Sequence, residues 1–208
     1  MPKSPLLWCA LLLLATGLFT LTGPVEKTLG ANARIVYLHG AWVWTALAAF
    51  LAAGVLGGLG IVLRRTTLQR WSRAVGRTGM IFWITYLPIS MWAMQTSWNG
   101  LFLSEPRWRL AVIFATAGLL LQIGVTLLEK PAWAAIANVF FGITLLLALS
   151  QTQNVMHPPS PILNSDAARI QVFFMGLLIL TLFTAWQVAR IWYSLESTAA
   201  RMPEYEPG

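Results

Sequence analysis

Residues 36–63 read VYLHGAWVWTALAAFLAAGVLGGLGIVL, and Arg64 and Arg65 follow directly. The stretch contains no charged residue. A helix needs about 20 apolar residues to cross the hydrocarbon core of a bilayer, and this stretch is longer than that. The rest of the chain has the same character, since 57% of all residues are hydrophobic and 10% are charged. Soluble domains carry about 25% charged residues. The sequence therefore predicts an integral membrane protein.

Five other apolar segments approach the length of a membrane span, and the one charged residue within them is Arg190, next to the end of the last segment. They predict an all-α fold, a polytopic membrane bundle of six transmembrane helices. The predicted spans are Leu6–Thr22, Val36–Leu63, Met80–Gln95, Leu110–Leu128, Trp133–Leu149 and Ile170–Ile191. We expect one transmembrane domain over residues 1–195 and a cytoplasmic tail over residues 196–208.

The orientation follows from the lysines and arginines between spans, which concentrate on the cytoplasmic side of membrane proteins. Five of the 14 lysines and arginines fall between positions 64 and 77, in a predicted inner loop: Arg64, Arg65, Arg70, Arg73 and Arg77. This cluster predicts that both termini are cytoplasmic and that residues 23–35, 96–109 and 150–169 are outside. The net charge of +7 thus indicates anionic lipid headgroups rather than nucleic acid.

The chain contains two histidines, His39 and His157, and the predicted topology puts both at the outer end of the bundle. An ionisable residue inside an apolar span is a functional hypothesis by default, and a neutral imidazole nitrogen can ligate a metal. Gly40, beside His39, would let a flat ligand approach the backbone. The alternative at this point is that both histidines are ordinary interfacial residues.

Tryptophan is abundant, with 11 residues in the chain. Five tryptophans map near the outer ends of the predicted spans: Trp42, Trp44, Trp92, Trp98 and Trp108. They indicate either an interfacial aromatic belt or an apolar wall for a planar ligand.

The arginines near the outer helix ends also allow two interpretations of their role. They are Arg34, Arg107, Arg109 and Arg169. Such side chains either extend to lipid headgroups or bind carboxylates through the planar guanidinium. Haem, with its metal, flat apolar body and carboxylates, would match the histidines, tryptophans and arginines together.

Patterns typical of soluble enzymes are absent from the sequence. It has no phosphate-binding glycine loop, zinc-protease pattern or nucleophile elbow, and its single cysteine, Cys9, leaves no disulfide or Cys-x-x-Cys site. No acidic residue lies inside a predicted span, which disfavours a carboxylate proton relay. The sequence indicates binding rather than enzymatic turnover.

Two motifs resemble the haem-handling membrane proteins of cytochrome c maturation, the CcmC/CcsA type. Residues 37–42 (YLHGAW) look like that family's opening of its second helix, and residues 156–162 (MHPPSPI) look like its second outer histidine followed by a proline-rich segment. The six-span layout is similar to the CcmC branch. One difference lies in residues 97–109 (SWNGLFLSEPRWR), which lack the family's Trp-Asp pair and contain no aspartate.

The resemblance implies that His39 and His157 are the axial ligands of haem b. It implies that residues 96–109, with Trp98 and Trp108, form a platform for the porphyrin, and that Arg109-Leu110 corresponds to the pair that closes the family motif. Arg34 or Arg109 would pair with the propionates. The protein would sit in a bacterial cytoplasmic (inner) membrane and pass haem from its outer face to protein partners in cytochrome assembly.

Two other functions fit the sequence. The chain could be a structural subunit of a larger respiratory or photosynthetic membrane complex, with its tryptophans against lipid or pigment. It could also be a component of a small-molecule permease, although no span is interrupted by charge or by paired glycine and proline.

Overall fold

The computed structural model describes residues 4–152, 162–163 and 166–199, with side chains through residue 196. All regular structure in these residues is helical, which confirms the predicted all-α class. The six helices are α1 (Pro5–Leu21), α2 (Ala33–Val62), α3 (Thr66–Trp98), α4 (Pro106–Leu127), α5 (Pro131–Gln151) and α6 (Ala168–Ala199). By length and composition, α2, α4, α5 and α6 are apolar enough to cross a membrane.

Local sequence explains where several helices begin and end. A proline occupies the first turn of α1, α4 and α5, where its missing N–H has no partner to lose. The Glu105 carboxylate caps α4 by accepting a hydrogen bond from the Trp108 amide at 2.8 Å. Left-handed backbone at Asn99 and Glu129 closes the ends of α3 and α4. With Pro131 at the start of α5, Glu129 makes the connection between these two helices a tight turn.

The predicted inner loop over residues 64–77 is wrong, because α3 begins at Thr66. Three of its arginines therefore lie on the first turns of a helix, and two of them face inward. Arg73 and Arg77 contact the Glu196 carboxylate at the end of α6, at 3.3 and 2.8 Å. Arg77 also donates to the Thr126 hydroxyl on α4 at 3.1 Å. These two arginines join helices instead of reaching for headgroups.

Small residues let α2, α3 and α5 approach closely in the half of the bundle that contains this ion cluster. A Cβ atom on Gly57 would lie 2.7 Å from the Ala135 carbonyl oxygen of α5 and 2.9 Å from the Ser72 hydroxyl of α3. The buried Asn138 amide donates to the Ser72 carbonyl at 2.9 Å, and Gln122 donates to the Asn138 side-chain oxygen at 3.2 Å. Interhelical hydrogen bonds of this kind hold apolar helices together where lipid offers no hydrophobic drive.

The opposite end of the bundle brings the other helix connections together. Asn32, just before α2, donates to the Thr96 carbonyl near the end of α3 at 2.9 Å. Arg107, in the first turn of α4, donates to the Thr152 carbonyl at the end of α5 at 3.4 Å. α1 packs on α6 and touches α2. The connections that follow α1, α3 and α5 thus meet at one end, which we call the histidine end because His39 lies there.

Candidate functional site

A cavity of about 890 Å³ lies at the histidine end of the bundle. Its volume is within the range of about 300–1,000 Å³ that small-molecule and cofactor sites occupy. α2, α4 and α6 contribute residues of their N-terminal halves, and α3 and α5 residues of their C-terminal halves. The connecting segments contribute Glu26, Leu29, Phe102, Glu105, Ile162 and Leu163. Every helix of the bundle except α1 takes part, so the cavity depends on the assembled fold.

The α3 wall of the cavity follows a helical repeat. Its cavity-lining residues are Trp83, Tyr86, Ser90, Ala93, Met94, Ser97 and Trp98. Single residues or adjacent pairs recur every three or four positions, which is the spacing of one helix face. Trp83, the first of these residues along the chain, is held in place because its indole N–H donates to the Ala111 carbonyl of α4 at 3.1 Å.

His39 lines the cavity from α2, between the second and third turns of that helix. Its ring faces Tyr86 with centroids 5.6 Å apart and planes tilted by 49°. Tyr86 in turn packs edge-on against Trp83 at 5.1 Å. The imidazole is therefore positioned against a buried aromatic wall rather than exposed at the surface of the bundle.

Three of the five tryptophans predicted near the outer helix ends also line the cavity, namely Trp44, Trp98 and Trp108. Trp98 and Trp108 contribute from the end of α3 and the start of α4, and Trp98 packs edge-on against Phe102 at 6.2 Å. Trp83 lines the cavity as well. The aromatic wall thus extends beyond residues 96–109, with contributions from the interiors of α2 and α3.

The predicted arginines are placed differently from one another. Arg34 and Arg109 are not among the described residues that line the cavity. Arg34 donates through Nε to the Gly23 carbonyl at 2.9 Å, and Arg109 is exposed. The arginine in the cavity wall is Arg107. The second predicted ligand, His157, lies outside the described residues.

Gly40 has a different role from the predicted approach of a flat ligand. A Cβ atom there would lie 3.2 Å from the Phe174 ring on α6. The glycine lines the cavity, but its lack of a side chain is used for the close packing of α2 on α6.

Three polar atoms of cavity-lining residues are shielded from solvent and have no hydrogen-bond partner in the described part of the chain. They are the Tyr37 hydroxyl, the Ser97 hydroxyl and Nε of Arg107. Native proteins pair about 90% or more of such groups, because an unsatisfied one costs about 1–3 kcal/mol. All three atoms therefore retain the capacity for a hydrogen bond at the wall of this cavity.

The two carboxylates in the cavity wall are both engaged with backbone amides. Glu26 accepts from Thr28 at 2.7 Å and from Leu29 at 2.8 Å. These hydrogen bonds to the ionised form lower the pKa of the Glu26 carboxyl below its ordinary value of 4.5. Glu105 caps α4. Among the described residues, no group of three or more histidine, cysteine or acidic side chains could hold a metal ion.

No protein-family model matches the sequence, and no curated protein matches it significantly.

Sequence reasoning did not single out Trp83, Tyr86, Ser97 or Glu105 as site residues. A signal for the first three exists in the sequence, because they share one face of α3 by helical spacing. The Glu105-Pro106 pair is a typical helix start, which places Arg107 in a first turn. Which of Arg107 and Arg109 faces the cavity depends on the rotation of α4, and the sequence does not define that rotation.

Proposed function

We propose that this protein binds haem b in the cavity at the histidine end and presents it for transfer in cytochrome c biogenesis. The observation that carries the proposal is the position of His39, which lines a ligand-sized cavity and packs against a buried aromatic wall. The resemblance of residues 37–42 and 156–162 to the haem-handling proteins of cytochrome c maturation supplies the function class. The role would be binding and transfer, without enzymatic turnover.

The residues of the cavity fit a flat, largely apolar cofactor with a metal and acceptor groups. His39 offers an imidazole nitrogen, and His157 is the second ligand that we propose from the sequence. Trp44, Trp83, Trp98 and Trp108 supply planar apolar surface. Bound haem would supply an iron centre that takes axial nitrogen ligands.

The protein's own contributions would be ligation, exclusion of water and orientation. The Tyr86 ring restricts the His39 imidazole from one side, which favours ligation because less side-chain freedom is lost on binding. The tryptophans exclude water from the apolar part of the cavity. The position of the cavity at one end of the bundle leaves a short route to an acceptor protein on that side.

We further propose that all six helices cross a bacterial cytoplasmic membrane, with both termini inside and the histidine end outside. α1 has 17 residues, at the lower limit of the about 17–25 that span a bilayer. The apolar part of α3 follows the arginines of its first turns and passes through Pro88 without interruption of the helix. The orientation is supported by the arginines at the opposite end, near the Glu196 cluster.

An absorption spectrum of the full chain purified in mild detergent tests the proposal. We expect a low-spin haem spectrum after purification or after addition of haem, and its loss in His39→Ala and His157→Ala variants. A preparation that is colourless, does not take up haem and co-purifies stoichiometrically with a larger membrane complex would favour the structural-subunit alternative.

A further inference from the structure

We propose that Arg107, with the hydroxyls of Ser97 and Tyr37, forms the part of the cavity that binds the carboxylates of a flat, apolar ligand. This inference rests on the proposed function for the identity of that ligand, a porphyrin. It assigns the carboxylate partner to Arg107 rather than to Arg34 or Arg109.

The three unsatisfied atoms can all donate a hydrogen bond. Nε of Arg107 can only donate, whereas the hydroxyls of Ser97 and Tyr37 can donate or accept. The partner that the Arg107 Nε lacks is therefore an acceptor, and an acceptor would suit both hydroxyls as well. An ionised carboxylate is the strongest acceptor that a porphyrin offers, and hydrogen bonds to charged groups are about twice as strong as neutral ones.

The Arg107 guanidinium is only weakly engaged by the described part of the chain. It forms no ion pair with any described carboxylate, and its one hydrogen bond, to the Thr152 carbonyl, is long at 3.4 Å. That bond ties the side chain to the end of α5 and so holds it at the cavity wall. A partly buried, permanently charged group with no counter-charge is costly, and an incoming carboxylate would offset this cost.

Arg107 lies in the first turn of α4. The N-terminal end of a helix carries a partial positive charge, which favours an anion nearby, and the Glu105 carboxylate that caps α4 already benefits from it. A ligand carboxylate at this helix end would therefore be held by the Arg107 guanidinium itself.

The contrast with Arg109 makes the inference specific. Arg109 lies two residues away on the same helix, is exposed and is not among the described lining residues. Ser97 and Tyr37 reach the cavity from α3 and α2. Because their oxygen atoms are shielded from solvent, contact with a ligand requires a small rotation of each side chain.

The test uses metal-free protoporphyrin IX and its dimethyl ester, so that iron ligation does not contribute. Binding of each to the purified full chain in detergent is measured by quenching of tryptophan fluorescence. We expect the wild-type protein to bind the free acid about tenfold or more tightly than the ester, as hydrogen bonds to a charged group imply. Arg107→Gln should lose most of that preference while its affinity for the ester stays within about twofold.

The matched control is Arg109→Gln, which removes the same charge from the same helix and should keep the preference for the free acid. Arg107→Lys keeps the charge without the planar fork and should retain part of the preference. Thermal unfolding of each variant in detergent establishes that it is folded, and Ser97→Ala provides a second, milder test in the same direction.

Several results would overturn the inference. It fails if the wild-type protein binds the free acid and the ester equally, or binds neither. It fails if Arg109→Gln loses as much preference as Arg107→Gln. Displacement of an anionic lipid such as phosphatidylglycerol in the absence of any preference for the free acid would assign Arg107 to headgroups instead. A His39-dependent haem spectrum alongside any of these results would leave the proposed function standing.

Discussion

His39 on α2 and Tyr86 on α3 face each other across the cavity wall, with ring centroids 5.6 Å apart. The two residues are far apart in the chain, and the contact exists because α2 and α3 form the central helix pair of the bundle. Tyr86 is itself held by Trp83. Packing in the core therefore positions the Tyr86 ring, and the Tyr86 ring in turn restricts the orientation of the His39 imidazole.

The first prediction concerns this contact. Replacing Tyr86 with alanine should weaken haem binding by about two- to tenfold, since an aromatic pair contributes about 0.5–1.5 kcal/mol beyond burial of its area. Haem titration followed by absorption measures the change. Tyr86→Phe keeps the ring and should bind haem like the wild-type protein. Equal losses in the two variants would show that the hydroxyl, and not the ring, matters.

The second prediction concerns the close approach of α2 and α5. Gly57→Ala would place a Cβ atom 2.7 Å from the Ala135 carbonyl oxygen, and this backbone atom cannot move without shifting α5. We expect a loss of about 1–3 kcal/mol in stability, measured as a lower unfolding temperature in detergent. Gly124→Ala is the control, because nothing lies within 4 Å of that Cβ position. A Gly57→Ala protein as stable as this control would contradict the helix packing described.

The third prediction concerns the ion cluster at the opposite end of the bundle. Glu196→Gln removes the negative charge that Arg73 and Arg77 contact, and both arginines remain largely buried. We expect a loss of about 1.5–3 kcal/mol, seen as a lower unfolding temperature. Glu129→Gln, at an exposed turn, should have little effect. If the two variants unfold at the same temperature, the cluster does not hold α6 to α3.

The same cluster shows what the sequence could and could not predict. Helices α4 and α5 were predicted within about four residues of their bounds, because prolines and the turn at residues 129–131 punctuate them. α3 was predicted to start at Met80, but it starts at Thr66. The sequence predicts Arg70, Arg73 and Arg77 in a loop. Glu196, which Arg73 and Arg77 contact, lies on the last helix, and no local pattern reveals that contact.

The candidate site was predictable in part for a similar reason. His39, Trp98 and Trp108 were predicted from residue type and position near a helix end, and they line the cavity. Arg107 rather than Arg109 lines it because of the rotation of α4, which the Glu105 cap and the packing against α3 and α5 determine. Tyr86 and Ser97 belong to the site through the long-range pairing of α2 with α3.

The fourth prediction concerns topology. In a Cys9→Ser background, single cysteines at Lys27 and Ser104 should react with a membrane-impermeant thiol reagent added outside intact cells. A cysteine at Glu129 should react after the cells are opened. These outcomes follow from six spans with both termini inside, because residues 27 and 104 lie in connections at the histidine end and residue 129 lies in a connection at the other. Labelling of Glu129→Cys in intact cells would contradict this arrangement.

The central claim is that His39 ligates haem in the cavity at the histidine end. The most direct measurement is a haem titration of the purified full chain, with absorption spectra of the oxidised and reduced forms. We predict one haem per chain with a low-spin spectrum, which His39→Ala abolishes and the control Val55→Ala, at an exposed position of the same helix, preserves. Absence of haem uptake by the wild-type protein, or an unchanged low-spin spectrum in the His39→Ala variant, would contradict the claim.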